Sequence, residues 1–232
     1  MPGPTRRCEG VWRRRGCVRI GGVDEAGRGC LAGPVVAAVV VLGRRVPPGI
    51  DDSKRLSRAQ REGLFAALRA SQAEIGLGSA SVAEIESVNI RQASFLAMRR
   101  AIAALPLPPD VVLVDGFEIP DLALRQQALI GGDRRSLSIA AASICAKVVR
   151  DCRMRALAAT CPGYGFETHV GYPTPQHLAA LAQHGVTPHH RGTFGPVRRL
   201  LAEAHGTPLE PLPREMPSTD CPARVAPESP AR

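Results

Sequence analysis

The sequence predicts an α/β protein in which a mixed sheet is covered by helices. Two observations carry this: short Val-rich runs come first along the chain, and segments with helical spacing then alternate with further apolar runs. No internal repeat competes with it.

The elements follow in order. Residues 1–17 mix Pro, Gly and Arg without periodicity and read as a basic, flexible arm. Val18 to Val23 forms a first strand and Pro34 to Leu42 a second. The glycine-rich stretch Gly27 to Gly33 between them suggests a hairpin-like connection. Ser57 caps a helix running to about Ala70, with Leu64, Ala67 and Leu68 on one face. Glu74 to Ser79 suits a third strand and Asn89 to Leu105 a second helix. Val111 to Val114 and Ala128 to Ile130 read as short buried strands, and a helix lies between Ser136 and about Ala159. A last helix, Pro175 to His184, stops at Gly185, a residue suited to the helix C-terminus. From Glu203 the chain is rich in proline (Pro208, Pro211, Pro213, Pro217), so residues 203–232 are expected to be a disordered tail. One domain over residues 18–202 remains.

Composition narrows the function. Of 232 residues, 44% are hydrophobic, enough for a sizeable core, while aromatics at 3% leave little material for stacking single-stranded bases. The net charge of +9 favours a polyanionic partner, although an Arg-rich composition without a binding role is the plain alternative. Seven cysteines without a CxxC pair fit neither a zinc site nor a disulfide framework, so reduced thiols are expected. His169, His184, His189 and His190 lack zinc spacing as well. The longest apolar run, Val35 to Leu42, is too short to span a bilayer, and no secretory signal opens the chain. A cytoplasmic protein without membrane contact is the expectation.

Three places put an acid just after a strand-like run: Val23-Asp24-Glu25, Val114-Asp115 and Ile130-Gly131-Gly132-Asp133. Strand ends in α/β sheets are where ligand sites gather. Carboxylates brought there from separate strands repel one another unless a cation lies between them, and hard oxygen ligands suit Mg²⁺ or Mn²⁺. Singly, each acid reads equally well as a turn residue. Asp115-Gly116 is a good turn pair, and Asp133 suits a helix cap. Spacing alone leaves both readings open.

The wording around the acids resembles the ribonuclease HII family. Gly22-Val23-Asp24-Glu25-Ala26-Gly27-Arg28-Gly29 is similar to the signature that opens those proteins. Asp52-Ser53-Lys54-Arg55-Leu56-Ser57, Val114-Asp115-Gly116 and Gly132-Asp133 follow in the expected order. So do Ala141-Ala142-Ser143-Ile144-Cys145-Ala146-Lys147, Gly171-Tyr172-Pro173-Thr174, His189-His190-Arg191 and Phe194-Gly195-Pro196-Val197. The resemblance covers roughly Val18 to Leu200.

It implies a ribonuclease H-like fold, a mixed five-stranded sheet flanked by helices, with a helical C-terminal part. It implies a metal site of Asp24, Glu25, Asp115 and Asp133 holding Mn²⁺ or Mg²⁺. Neighbouring strand residues face opposite ways, so the pairing of Asp24 with Glu25 comes from the family alone. It also implies that Gly27, Arg28, Gly29 and Tyr172 read the junction between ribonucleotide and deoxynucleotide. Lys54, Ser143 and Lys147 are expected to help bind phosphates, although Lys147 serves equally as a helix lysine with its stem packed down. Three positions depart from the family pattern. Cys30 replaces a proline, and Gly131 and Val170 replace lysines, which would weaken phosphate binding.

The implied activity is endonucleolytic hydrolysis of RNA in RNA–DNA hybrids, with cleavage 5′ to single ribonucleotides in duplex DNA, by a monomer. A ribonuclease HIII enzyme is a rival, disfavoured because only a short basic segment precedes Val18. A binding protein without catalysis is another, disfavoured by retention of all four acids.

Overall fold

The computed structural model describes residues 3–205. Five strands form one mixed sheet: β1 Ile20–Ala26, β2 Val35–Val41, β3 Glu74–Ala80, β4 Val111–Asp115 and β5 Arg125–Leu129, in the order β3-β2-β1-β4-β5. β1 pairs antiparallel with β2, as the hairpin-like connection predicts, and β2 pairs antiparallel with β3. β4 lies parallel to both β1 and β5. Every residue of β2, Val-Val-Ala-Ala-Val-Val-Val, is buried, which is why that run is apolar throughout rather than alternating.

Helices cover both faces. On one side α3 (Val82–Ala103) packs Ala93, Ala97, Met98 and Ala101 onto Val23, Val35, Val39 and Val112. On the other, α2 (Arg58–Ala70) and the long α4 (Leu137–Thr160) bury Leu68, Ala140, Ala141 and Ile144 against Ala38 and Val40. Local chemistry sets the ends. Ser57 and Gln60 close a reciprocal capping box on α2, and Ser81 with Glu84 does the same for α3. Ser136 caps α4. Gly22 lets α4 lie against β1, because a Cβ there would fall 2.1 Å from the Ser138 carbonyl carbon.

Past α4 come α5 (Phe166–His169), α6 (Pro175–His184) and α7 (Gly195–His205). With the β1–β2 connection they enclose a second, smaller core of Leu31, Met154, Phe166, Leu181 and Val197.

Several expectations are corrected. Residues 1–17 are not a loose arm throughout: Arg7–Arg14 forms α1, whose Glu9 is buried and accepts hydrogen bonds from Ser136 Oγ, Ser138 N–H and Ser138 Oγ. A carboxylate at the start of α4 meets that helix's unpaired N–H groups, so the segment is anchored by charge rather than by apolar periodicity. Trp12 adds an indole hydrogen bond of 2.6 Å to Gln127. The helix expected from Asn89 starts at Val82, and Asn89, at φ 66°, marks a kink inside it. The strand expected at Ala128 to Ile130 begins at Arg125, because an edge strand tolerates polar Gln126 and Gln127; Ile130, 81% exposed, lies beyond it. Pro175–His184 is not the last helix, since α7 follows and takes in Glu203 to His205. The remainder of the expected tail, 206–232, lies outside the described residues.

Candidate active site

β1 and β4 run parallel, and Val23 pairs with Val114, so Asp24 and Asp115 emerge together at the ends of adjacent strands. Asp24 points to the α4 side and is 6% exposed. Its Oδ1 accepts the Glu25 N–H at 2.7 Å. Glu25 points to the opposite face, yet both border one pocket of about 260 Å³, which opens at the strand ends and reaches around the sheet. Asp133 sits on a single 3₁₀ turn, Gly132–Arg134, directly after β5. The Gly132 N–H of that turn donates to Asp115 Oδ1 at 2.7 Å, tying the two acidic segments together.

Crowding of like charges shows in the protonation of these groups. Burial, then the charges of Glu25 and Asp115, push the Asp24 carboxyl well above the usual carboxylate range, against the Ser143 hydroxyl and the Glu25 N–H. Burial also raises Glu25; Arg28 opposes the shift and Asp115 adds to it. Asp115 is raised by burial and by Asp133, with Gly132 N–H and Lys54 pulling the other way. The site therefore favours a cation.

The pocket gathers Gly27, Arg28, Gly29, Lys54, Ser143, Lys147 and Tyr172 around Asp24, Glu25 and Asp115. Among the predicted residues only Asp133 is not part of the pocket lining. It joins through Lys54, whose ammonium lies 3.3 Å from its Oδ2. Arg28 forms an ion pair of 3.2 Å with Glu25. Ser143 shares a buried 2.9 Å hydrogen bond with Ser53. Lys147 pairs with Asp151 at 3.0 Å and sits 4.9 Å from the centre of the Tyr172 ring.

Among the described residues no three His, Cys, Asp or Glu side chains, as they stand, are grouped so that they could hold a metal ion. The acids repel one another, and Gly132 N–H and Lys54 Nζ take oxygens of Asp115 and Asp133. The donor set still fits a hard divalent cation, because it is wholly carboxylate oxygen and burial, with one another's charge added, holds the pKa of Asp24 and Asp115 above the ordinary carboxylate value.

Two residues that sequence reasoning gave no role hold the Gly-Arg-Gly connection in place. Arg150 and Arg191 are fully buried. Arg150 donates to the carbonyls of Pro34, Ala32 and Val170, and Arg191 donates twice to Gly33 and once to Arg28. Gly27, at φ +100°, leaves room for Arg150, since a Cβ would lie 2.0 Å from Arg150 Nε. Ser53 and Arg61 also line the pocket. The only signal for Arg61 was its place one turn inside α2, where Nη1 donates to the Ser53 carbonyl and steadies the segment carrying Lys54. Val170, a departure from the family pattern, is buried in the smaller core at φ 45°, a left-handed conformation that β-branched residues rarely adopt.

This sheet order with helices on both faces is that of the ribonuclease H-like fold. The ribonuclease H2 of Pyrococcus horikoshii OT3 superposes with a TM-score of 0.69 at 25% identity, over 81% of this chain and 99% of that one. More specifically, the family model for ribonuclease HII matches residues 21–197. The ribonuclease HII of Rhodospirillum rubrum is 57% identical over 192 residues, 80% of this chain and 88% of that protein. That of Ruegeria pomeroyi is 51% identical over 203 residues, 87% of this chain and 86% of its own. The chain belongs to the ribonuclease HII family and is an endonuclease that hydrolyses the RNA of RNA–DNA hybrids. Among the described residues no helix is long and apolar enough to cross a membrane.

Proposed function

We propose that this chain also cuts duplex DNA at single embedded ribonucleotides, hydrolysing the phosphodiester on the 5′ side and leaving 3′-hydroxyl and 5′-phosphate ends. The observation that carries this reading is one pocket that combines crowded strand-end acids with a backbone turn open to a nucleic acid. Asp24, Glu25, Asp115 and Asp133 would hold Mn²⁺ or Mg²⁺. When bound, such ions supply a water of lowered pKa and neutralise charge developing on the phosphate.

The chain's own residues do the rest. Gly27 seats the turn against Arg150 and Gly29 carries no side chain, so the backbone of the turn can approach a sugar closely enough to sense a 2′-hydroxyl. Gly29 has open space where a Cβ would stand. Tyr172, 37% exposed at the pocket's edge, offers a ring face to the neighbouring deoxyribose. Lys54 and Lys147 attract phosphates on either side of the cut. The proposed catalytic unit is a monomer. In a cytoplasmic setting the activity would serve excision of misincorporated ribonucleotides and removal of RNA primers.

The test is cleavage of a labelled DNA duplex carrying one ribonucleotide, with Mg²⁺, Mn²⁺ or EDTA, beside an all-DNA duplex and the Asp115→Asn variant. A metal-dependent cut on the 5′ side of the ribonucleotide, absent from both controls, is expected. Cleavage confined to long hybrids would overturn the single-ribonucleotide reading, and equal cleavage in EDTA would overturn the metal assignment.

A further inference from the structure

Behind Tyr172 lies a buried group of rings, Tyr164, Phe166, His169, His177 and His190; the three histidines are 7%, 0% and 3% exposed. Their hydrogen bonds admit one placement of protons. The Thr187 N–H donates to His190 Nδ1 at 3.1 Å, so that nitrogen carries a lone pair and the His190 proton is on Nε2. His190 Nε2 faces His177 Nε2 at 3.1 Å, so the latter accepts, and the His177 proton is on Nδ1. His177 Nδ1 then donates to the Tyr172 carbonyl at 2.9 Å. On the other side the Gly171 N–H donates to His169 Nδ1 at 3.2 Å, which leaves His169 Nε2–H to donate to the Tyr164 carbonyl at 2.7 Å.

The two backbone groups that bracket Tyr172, the N–H of Gly171 and its own C=O, are thus each held by an imidazole, one accepting and one donating. We infer that His169, His177 and His190 are positioning residues for Tyr172, acting as neutral imidazoles of fixed tautomer that set where its ring stands at the pocket edge. An extra proton on His177 Nε2 would face the His190 N–H, and one on His190 Nδ1 would face the Thr187 N–H, so the relay as drawn requires both rings to be neutral. The inference rests on Tyr172 as a substrate contact, as proposed above.

Two measurements on the full chain test it. Nitrogen-15 NMR of the imidazoles at neutral pH is expected to show His177 protonated on Nδ1, and His190 and His169 on Nε2; any other tautomer, or averaging between two, overturns the relay. The second is a double-mutant cycle on a duplex with one ribonucleotide. His177→Phe keeps an aromatic ring but removes the donor, and should lower kcat/KM roughly ten- to a hundred-fold, the scale on which a misplaced contact costs rate. His177→Asn, whose amide can donate near the Nδ1 position, should restore most of that loss. In a Tyr172→Ala background His177→Phe should cost little more. If the losses multiply instead, or the Asn variant does not rescue, His177 acts independently of Tyr172 and the inference fails. If Tyr172→Ala alone leaves kcat/KM unchanged, the reading of Tyr172 as a substrate contact fails first and takes the relay's role with it. Should His177→Phe not fold, the tautomers and the Asn variant decide.

Discussion

The ammonium of Lys54 lies 3.3 Å from Asp133 Oδ2, the one ion pair that Asp133 forms among the described residues. The two ends differ in setting: the lysine side chain is 80% exposed and the carboxylate 5%. Burial works against the Lys54 charge more than any other single cause, but Asp133, Asp52 and Asp24 together hold its pKa above the ordinary value. A cation kept charged by the acid cluster while reaching into solvent is placed to meet a phosphate.

Lys54→Ala should therefore weaken substrate binding far more than it weakens the fold. Because the lysine end of the pair stands in solvent, screening limits its contribution to stability to about 1 kcal/mol. Losing one phosphate contact should flatten the slope of log affinity against log salt by about 0.9. Binding of a catalytically silenced chain to duplex at several salt concentrations measures the slope directly. An unchanged slope would mean that Lys54 serves Asp133 alone.

Gly22 gives a prediction about the fold. A methyl group there would meet the α4 backbone at 2.1 to 2.5 Å, and backbone cannot swing aside as a side chain can. Gly22→Ala should destabilise by about 1–3 kcal/mol or more, the cost of overpacking a filled interior. The helix it displaces carries Ser143 and Lys147, so activity should fall along with the melting temperature. Chemical denaturation beside a cleavage assay checks both.

The sheet and the acids were legible because they rest on local signals. Apolar runs marked four strands closely, and Ser57, Ser136 and Gly185 marked helix ends. Three acids were visible at strand ends, whereas Glu25 was not, since strand alternation points it away from Asp24. Only the opening of the pocket around the end of β1 brings the two together. What stayed hidden depends on distant partners. α1 is anchored by the Glu9 carboxylate on α4, more than 120 residues away. Arg150 and Arg191 look like surface arginines until the backbone carbonyls of the 28–34 connection close around them. His177 belongs to no acidic motif, and its role appears only when His190 is beside it.

The described thiols should differ sharply in reactivity. Burial pushes Cys145 up to about 12 and raises Cys30 as well, although Arg150, Arg191 and Lys147 pull Cys30 back. Both are 0% exposed, whereas Cys152 is exposed on α4. Because the thiolate is the reactive form, brief alkylation of the native protein should modify Cys152 well ahead of Cys30 and Cys145. Peptide mass mapping after a short exposure to iodoacetamide gives the order, and early labelling of Cys30 would contradict the packing described.

Acid should loosen the support of Tyr172. Burial, then the charge of His177, depress His190 from 6.5 to about 4, and burial lowers His177 too. The fold favours the neutral ring, so an unfolded chain binds the proton first as pH falls. The stability linked to His190 is full above about 6.5, is lost progressively from there down to about 4, and amounts to on the order of 3 kcal/mol. The groups facing the ring are His177, His169, His189, Tyr164 and Phe166, with Thr187 bonded to it, and none supplies a compensating negative charge. His190→Gln should flatten the fall in stability between pH 7 and pH 5, read from urea denaturation at each pH. Parallel curves for both proteins would mean that His190 is protonated in the fold.

The acid pocket should show opposite demands of stability and catalysis. Asp24 is buried beside Glu25 and Asp115, and burial, with neighbouring carboxylate charge added, raises the pKa of all three. A neutral amide of the same shape relieves that crowding, and its oxygen can still accept the Glu25 N–H that Asp24 Oδ1 accepts. In EDTA, Asp24→Asn should therefore raise stability by about 1 kcal/mol, whereas most substitutions at buried positions lower it. Cleavage should fall by at least about a hundred-fold, the scale on which loss of one group stabilising developing charge is felt. With Mn²⁺ added, the native protein should gain more thermal stability than the variant, because a ligand bound only by the folded state stabilises it by mass action. Melting curves of both proteins, with and without the ion, separate the two effects. A variant less stable than the native chain in EDTA would show that the Asp24 charge is balanced by its neighbours rather than strained by them.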